Sequence, residues 1–376
     1  MRIVLAPDSF KESMSAAQAV AAMRRGVLAV FPDAECLEYP LADGGEGTSA
    51  VLSAALGATP HTARVRDAHG EPVDASFAMT DDSTAIVDVA SAVGLALTPP
   101  ARRQPMGAAS WGVGDLIGAG LDLGMKRLIV GLGGSSTNDG GAGLMVALGA
   151  RLVDADGCPC DPTPSGLLSL GRVDLSGLDS RLASVRIDVA CDVDNPLLGV
   201  SGASAVFGPQ KGATATDVPL LEQALERWAD ALTKAVGRDE SQTPGAGAAG
   251  GMGFAFLMLG ARARRGIDVV IGATGLEQHI ADADLVLTGE GSFDAQTSAG
   301  KAPWGVAQAA RRHGVPVIGF AGRVGDVPGG VLDAVFPIVP GPVGLDEALR
   351  DGEANLTSSV ERAMCLIKLQ IGRQRS

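Results

Sequence analysis

The stretch from Leu128 to Gly143, LIVGLGGSSTNDGGAG, constrains the fold more than any other segment of the chain. LIVGL is a short, β-branched apolar run, which predicts a buried strand. It passes directly into GGSSTNDGG, and six glycines fall between Gly131 and Gly143. Glycine permits φ > 0 and lets backbone N–H groups approach a ligand closely. Ser135, Ser136, Thr137 and Asn138 add hydroxyls and an amide, and Asp139 adds a carboxylate able to hold a cation. Gly143 opens an apolar helical stretch, LMVALGARL. A strand, a glycine loop and a helix N-terminus in that order predict an anion site, with phosphate the favoured ligand. The alternative is a tight strand-to-helix turn that binds nothing. The segment lacks the G-x-x-x-x-G-K-[ST] of a P-loop. It also fits G-x-G-x-x-G poorly, with no acid about 20 residues further on at a strand end.

A chain of 376 residues predicts two domains, or three, with ample core. The formal charge of −13, from 43 acidic against 30 basic residues, argues against nucleic acid or an anionic membrane as partner. The five cysteines are scattered, and Cys158-Pro-Cys160 is too closely spaced for a C-x-x-C metal or redox motif. Reduced thiols are therefore expected. A strand starts at Arg2 with no signal peptide before it, and no apolar run reaches the ~18 residues that span a bilayer. These features predict a cytoplasmic enzyme.

Strand, glycine loop and helix recur along the chain. Arg2 to Ala6 reads as a strand ending in PDSFKESMSA, with Ser13 or Ser15 capping the helix that follows. Asp8, Ser9 and Lys11 then lie beyond the C-terminal end of a strand, where open α/β sheets bind ligands. Glu35 to Leu41 predicts a second strand, running into ADGGEGT with Asp43 and Glu46. From Thr59 the pattern changes to two or three alternating, antiparallel strands. Val153 to Val173 is weakly patterned and reads as loop. VRIDVAC, residues 185–191, is a strand leading to Asp192, Asp194 and Asn195, where carboxylates and an amide meet a metal or a substrate hydroxyl, or simply close a turn before Pro196.

Further on, Lys211 sits in GPQKG, a loop able to reach a phosphate, and QTPGAGAAGGMG reads as a linker or mobile loop. FAFLMLGARARRG reads as helix, and Asp268 to Ile271 as a short strand. DLVLT, residues 284–288, returns to the first pattern. Glu290 and Asp294 lie in the loop after it, with Lys301 at a helix start beside Pro303. Lysine there opposes the helix dipole, and a bound anion relieves it.

The domain organisation this predicts is discontinuous. Residues 1–58 with 284–376 form an outer α/β domain with a parallel sheet. Residues 59–283 form an inserted α/β domain with a mixed sheet and the glycine loop. The active site is expected in the cleft between the two.

Taken together, PDSFKESMSA, PLADGGEGT, GLGGSSTNDGGAG, CDVDNPLLG, FGPQKGA and TGEGSFDAQTSAGKAP resemble the bacterial type-1 glycerate kinases, in that family's order from Pro7 to Pro303. The resemblance implies ATP- and Mg2+-dependent phosphorylation of D-glycerate, usually to 2-phosphoglycerate. It also implies two α/β domains, one Rossmann-like or flavodoxin-like and one inserted.

Residue roles are expected from chemistry, since phosphoryl transfer needs a phosphate cradle, a metal, cationic charge and a base. Gly133, Gly134, Ser135, Ser136 and Thr137 are the candidates for the ATP phosphates, with Lys211 and Lys301. Asp192 is the candidate base, with Asp294 in reserve, and Lys11 joins them as a catalytic cation. Asp8, Ser9 and Asn195 are candidates for substrate, and Asp139, Asp43 and Glu290 for the metal. A monomer or homodimer acting on small molecules is expected. Two other readings stay open: a kinase of another small hydroxy acid, and a nucleotide- or NAD-binding dehydrogenase or sensor.

Overall fold

The apolar run after Met1 forms β1 (Arg2–Pro7), whose inner residues are fully buried. The computed structural model describes residues 1–41, 48–293, 301–325 and 330–374. The helix Ala16–Val30 follows β1 and begins with a capping box. The Ser15 hydroxyl accepts from Gln18 N, and the Gln18 side chain accepts from Ser15 N. Next come β2 (Glu35–Glu38), β3 (Thr59–Arg66), β4 (Pro72–Met79), β5 (Thr84–Asp88), β6 (Arg127–Gly131), β7 (Arg151–Asp154), β8 (Leu170–Asp174), β9 (Arg186–Ala190) and β10 (Arg262–Arg264). The chain returns through β11 (Leu285–Phe293), β12 (Val317–Val324) and β13 (Ala334–Pro337) to a last helix, Gly352–Gln374.

These elements divide into two compact units, Met1–Asp43 with Ile267–Ser376, and Gly44–Gly266. The seams expected after residue 58 and before residue 284 therefore lie elsewhere. Helix Thr48–Ala55 goes with the inserted unit, where Leu52 is buried and Ser49 hydrogen-bonds Asp88. Residues 267–283 go with the outer unit, where Ile267 packs on Gly305.

The outer unit holds one five-stranded sheet in the order β2-β1-β11-β12-β13, every pair parallel. Counted within this unit, that is the 2-1-3-4-5 order of a flavodoxin-like fold. Ile3, Leu5, Leu285 and Leu287 face the helices Ala16–Val30 and Gly352–Gln374. The two helices meet closely at Gly26, where a Cβ would come within 2.6 Å of Thr357 O. Helix Ala302–Arg312 packs against β1 and β11.

The inserted unit holds a six-stranded mixed sheet, β10-β9-β6-β5-β4-β3. β10, β9, β6 and β5 run parallel, and β4 and β3 antiparallel. The segment expected to be structureless, residues 153–173, contains most of a two-stranded ribbon, β7 against β8, with a bulge at Val153/Asp154. The bulge breaks the alternation that would reveal a strand. Two further expectations are corrected. Residues 268–271 belong to the helix Gly266–Thr274, because the apolar run IDVVIG is too short for periodicity to separate helix from strand. The predicted helix through ARARRG ends at Met258, and Arg262–Arg264 pairs with β9.

Candidate active site

The expected site residues fall into two groups, one in each unit. Asp43 and Asp294 lie outside the described residues.

In the outer unit the strand order reverses between β1 and β11, and ligands of open α/β sheets bind beyond the strand ends at such a point. Asp8 follows β1 directly, and its N–H donates to Gly289 O at 2.8 Å. Asp8 Oδ1 accepts from Ser9 N at 2.6 Å. Phe10 and Met14 are buried and exchange two backbone hydrogen bonds of 2.9 Å, closing a tight loop with Lys11 exposed on it. Glu12 in that loop has φ 62°, a left-handed conformation uncommon outside glycine.

Across the switch point Glu290 is 6% exposed and lies 3.1 Å from Lys301 Nζ. Lys301 is the N-cap of Ala302–Arg312, and Glu290 supplies the negative charge that the dipole there demands. Thus Asp8, Ser9, Lys11, Glu290 and Lys301 share one sheet edge. Glu290, expected in a loop, lies within β11, one residue after Gly289, the ladder partner of Pro7, and Asp8 comes one residue after Pro7. This placement suits Mg2+, an ion that takes one or two carboxylates besides phosphate oxygens. Among the described residues there is no cluster of three or more His, Cys, Asp or Glu side chains that could hold a metal alone.

In the inserted unit β5, β6, β9 and β10 end level with one another, at Asp88, Gly131, Ala190 and Arg264. The glycine loop leaves β6 at this edge. Gly134 is exposed and Gly133 half-buried, whereas Ser135, Ser136, Thr137, Asn138 and Asp139 are all buried. Much of the loop chemistry is therefore turned inward. Ser136 donates through both N and Oγ to Val93 O, each at 2.9 Å. Asn138 Nδ2 donates to Ser204 Oγ at 3.0 Å.

Asp139, expected as a metal ligand, accepts hydrogen bonds from Ser110 N, Ser110 Oγ, Gly141 N and Gly143 N. It is fully buried, and burial holds its carboxyl above the ordinary range despite these donors. Its oxygens are occupied, so it does not fit the metal role; it ties the loop to Ser110 and to the helix Ala142–Ala147.

Lys211 was expected to reach outward from a flexible loop. Instead it is 2% exposed, and its Nζ donates to Ser135 Oγ at 3.0 Å and Thr137 O at 2.6 Å. Burial pushes its pKa down to about 7, and Asp139 acts to raise it. It is an internal hydrogen-bond donor to the glycine loop.

The glycines of TNDGGAG serve close backbone packing. A Cβ on Gly140 would stand 2.4 Å from Trp228 Cδ1, and one on Gly141 2.4 Å from Ala255 Cβ. QTPGAGAAGGMG, expected as a linker, is the other half of this packing. Gly250 O accepts from Gly140 N at 3.0 Å, and a Cβ on Gly250 would meet Thr137 O at 2.0 Å.

Asp192 lies just past β9 and is exposed, and its Oδ1 accepts from Gly266 N at 3.0 Å. Asn195 has a turn role: Nδ2 donates to Ser201 O at 2.7 Å, and its carbonyl accepts from Gly247 N. Sequence reasoning missed Asp88, which ends β5 in register with Gly131 and is held by Ser49 Oγ. The signal was present, an acid directly after the apolar run TAIV, but the segment reads as one of several alternating strands.

With this geometry in hand, the comparisons with known proteins are specific. The model of the glycerate kinase family matches residues 3–368. The chain is 48% identical over 375 residues to a glycerate kinase of Bacillus subtilis (strain 168), covering 98% of each chain. It is 46% identical over 363 residues to a glycerate 2-kinase of Escherichia coli (strain K12), covering 95% of each. A crystal structure of a protein assigned as glycerate kinase 2 from Salmonella typhimurium LT2 superposes with a TM-score of 0.89 at 45% identity, covering 100% of this chain and 99% of that one. The protein belongs to the glycerate kinase family.

Proposed function

We propose that this protein transfers the γ-phosphoryl group of ATP to D-glycerate, giving 2-phosphoglycerate and ADP. The observation that carries the reading is likeness over nearly the whole chain to a glycerate kinase and a glycerate 2-kinase. Family membership favours it over an NAD-dependent dehydrogenase or a sensor. In the reaction the 2-hydroxyl oxygen bonds to the γ-phosphorus, the bond to the β–γ bridging oxygen breaks, and the hydroxyl proton is accepted by a base.

Asp192 is our candidate for that base, since it is an exposed carboxylate beyond a strand end. Gly133 and Gly134 offer backbone to the ATP phosphates, with Ser135, Ser136 and Thr137 shaping the loop from within. Lys11 and Lys301 supply positive charge, and Ser9 contacts substrate. Asp8 and Glu290 would hold Mg2+, which when bound neutralises charge developing on the phosphates. A cytoplasmic setting and a monomer or homodimer complete the reading.

A coupled ADP-release assay with a panel of hydroxy acids tests it. ADP formation that requires D-glycerate, with the product identified as the 2-phosphate by NMR, is the expected result. Preference for another hydroxy acid, or reduction of NAD without ADP, overturns it.

A further inference from the structure

Trp228 lies on the long helix Asp217–Val236, fully buried in the core cluster that also holds Leu225 and Leu232. Its one polar atom, Nε1, donates to Gly140 O at 2.9 Å. The ring also lies flush against the glycine, since a Cβ there would stand 2.4 Å from Cδ1 and 2.9 Å from Nε1. On the same residue, Gly140 N donates to Gly250 O. Gly250 and Gly251 have φ of 69° and 90°, and the non-glycine Ala249 beside them has φ 53°. A non-glycine residue in that region costs roughly 1 kcal/mol or more, and the surrounding packing offsets it. Both backbone groups of Gly140 are thus fixed by elements outside the loop, three residues after Thr137.

We propose that Trp228 is a positioning residue that sets the Gly133–Thr137 loop for the phosphates of ATP. The inference rests on the function proposed above. Side chains that follow the loop in the chain restrain it on its buried side, in addition to the bonds of Ser136, Asn138 and Asp139. Lys211 Nζ holds Ser135 and Thr137, and the Trp228 indole holds Gly140. Removing the indole N–H while keeping an aromatic ring leaves Gly140 O without that donor inside the core. An unmade buried hydrogen bond is costly, so the loop shifts to satisfy it elsewhere. The exposed end at Gly133–Gly134 is joined to the restrained end by five residues that are themselves buried, and the shift passes through them.

The test is Trp228→Phe in the full-length protein. The expected result is an ATP KM raised about tenfold, the scale of one buried hydrogen bond, with kcat within about threefold of wild type and an unchanged far-UV spectrum. An ATP KM within twofold of wild type overturns the inference, as does a loss of kcat and thermal stability at constant KM. A second measurement leaves the side chain in place. The chain has three tryptophans, so 5-fluorotryptophan labelling gives three 19F resonances, and Trp111→Phe and Trp304→Phe leave Trp228 identified. The Trp228 resonance is expected to move when ATP is added. A resonance that stays fixed at saturating ATP overturns the inference even if Trp228→Phe does not fold. Wild-type protein that neither binds ATP nor phosphorylates D-glycerate overturns the proposed function, and this inference with it.

Discussion

Lys211→Met gives a direct test of the buried lysine under the glycine loop. In the unfolded chain the lysine titrates at its ordinary value of 10.5, and in the folded protein burial lowers it to about 7. Between those values the unfolded state carries one proton that the folded state has released. Stability therefore rises with pH across this window, because the proton excess lies on the unfolded side. Each pH unit within it is worth about 1.4 kcal/mol. From pH 7.5 to 9.5, wild type should gain about 2 to 3 kcal/mol relative to Lys211→Met, which has no group to titrate. Asp139 runs the opposite way. Its carboxyl is raised, so the stability it contributes is present at low pH and lost as pH rises through its folded value. Both proteins contain it, and it drops out of the comparison to first order. The assay is urea unfolding of both proteins at the two pH values, monitored by tryptophan fluorescence. Parallel pH profiles would refute the reasoning, since they would mean that the lysine stays charged in the folded protein.

Four other substitutions follow from the same geometry. Asp192→Asn should lower kcat by about 10²-fold or more with little change in ATP KM, the scale of a general base. A kcat within a few-fold of wild type would pass the base role to Asp294. Gly134→Val should weaken ATP use in a folded protein, since position 134 is exposed at φ 69° with Ala90 Cβ already 3.4 Å from an added Cβ; unchanged ATP kinetics would make the loop purely structural. Ser136→Ala removes the hydroxyl bond to Val93 O and should cost about 1 kcal/mol of stability, read as a lower urea midpoint at constant slope. Asp139→Ala leaves the donors of Ser110, Gly141 and Gly143 without their acceptor and should cost about 3 kcal/mol or more. A melting temperature equal to wild type would show that those donors find other partners.

Much of this architecture is written into local patterns. Residues 2–6 and 284–288 read as strands because continuous apolar runs end at acids and glycines, and they mark β1 and the first part of β11, paired strands of one parallel sheet. The positions of Asp8 and Asp192 beyond strand ends follow from the same runs, whereas Glu290, which read as loop, lies inside β11 because the strand continues through GEGSF to Phe293. What the sequence concealed depends on tertiary packing. A glycine that lets solvent-exposed chain bend and a glycine that lets two backbones touch are the same letter, so Gly245 to Gly251 resembled a linker. Lys211 resembled a surface lysine because its partners, Ser135 and Thr137, lie more than 70 residues away in the chain. Ser136 and Asp139 resembled ligand groups because nothing local reveals that Val93 O and Ser110 use them first.

The position of β1 has a consequence for synthesis. β1 is the second strand in from one edge of its sheet and pairs with β11, whose Thr288 donates to Ala6 O across 282 residues of sequence. A ribosome releases β1 and its helix first, and their apolar faces have no complete partner until β11, β12 and the final helix emerge. The inserted unit draws its strands and core from one unbroken stretch, so it is free to fold while the first 43 residues wait. Closure of the outer sheet is then the late, long-range step, and such steps are slow because chain entropy is lost before the contacts form. During that interval the nascent chain presents Ala19, Val20, Met23 and Val27 to the cell, making this helix the surface that chaperones have most reason to cover.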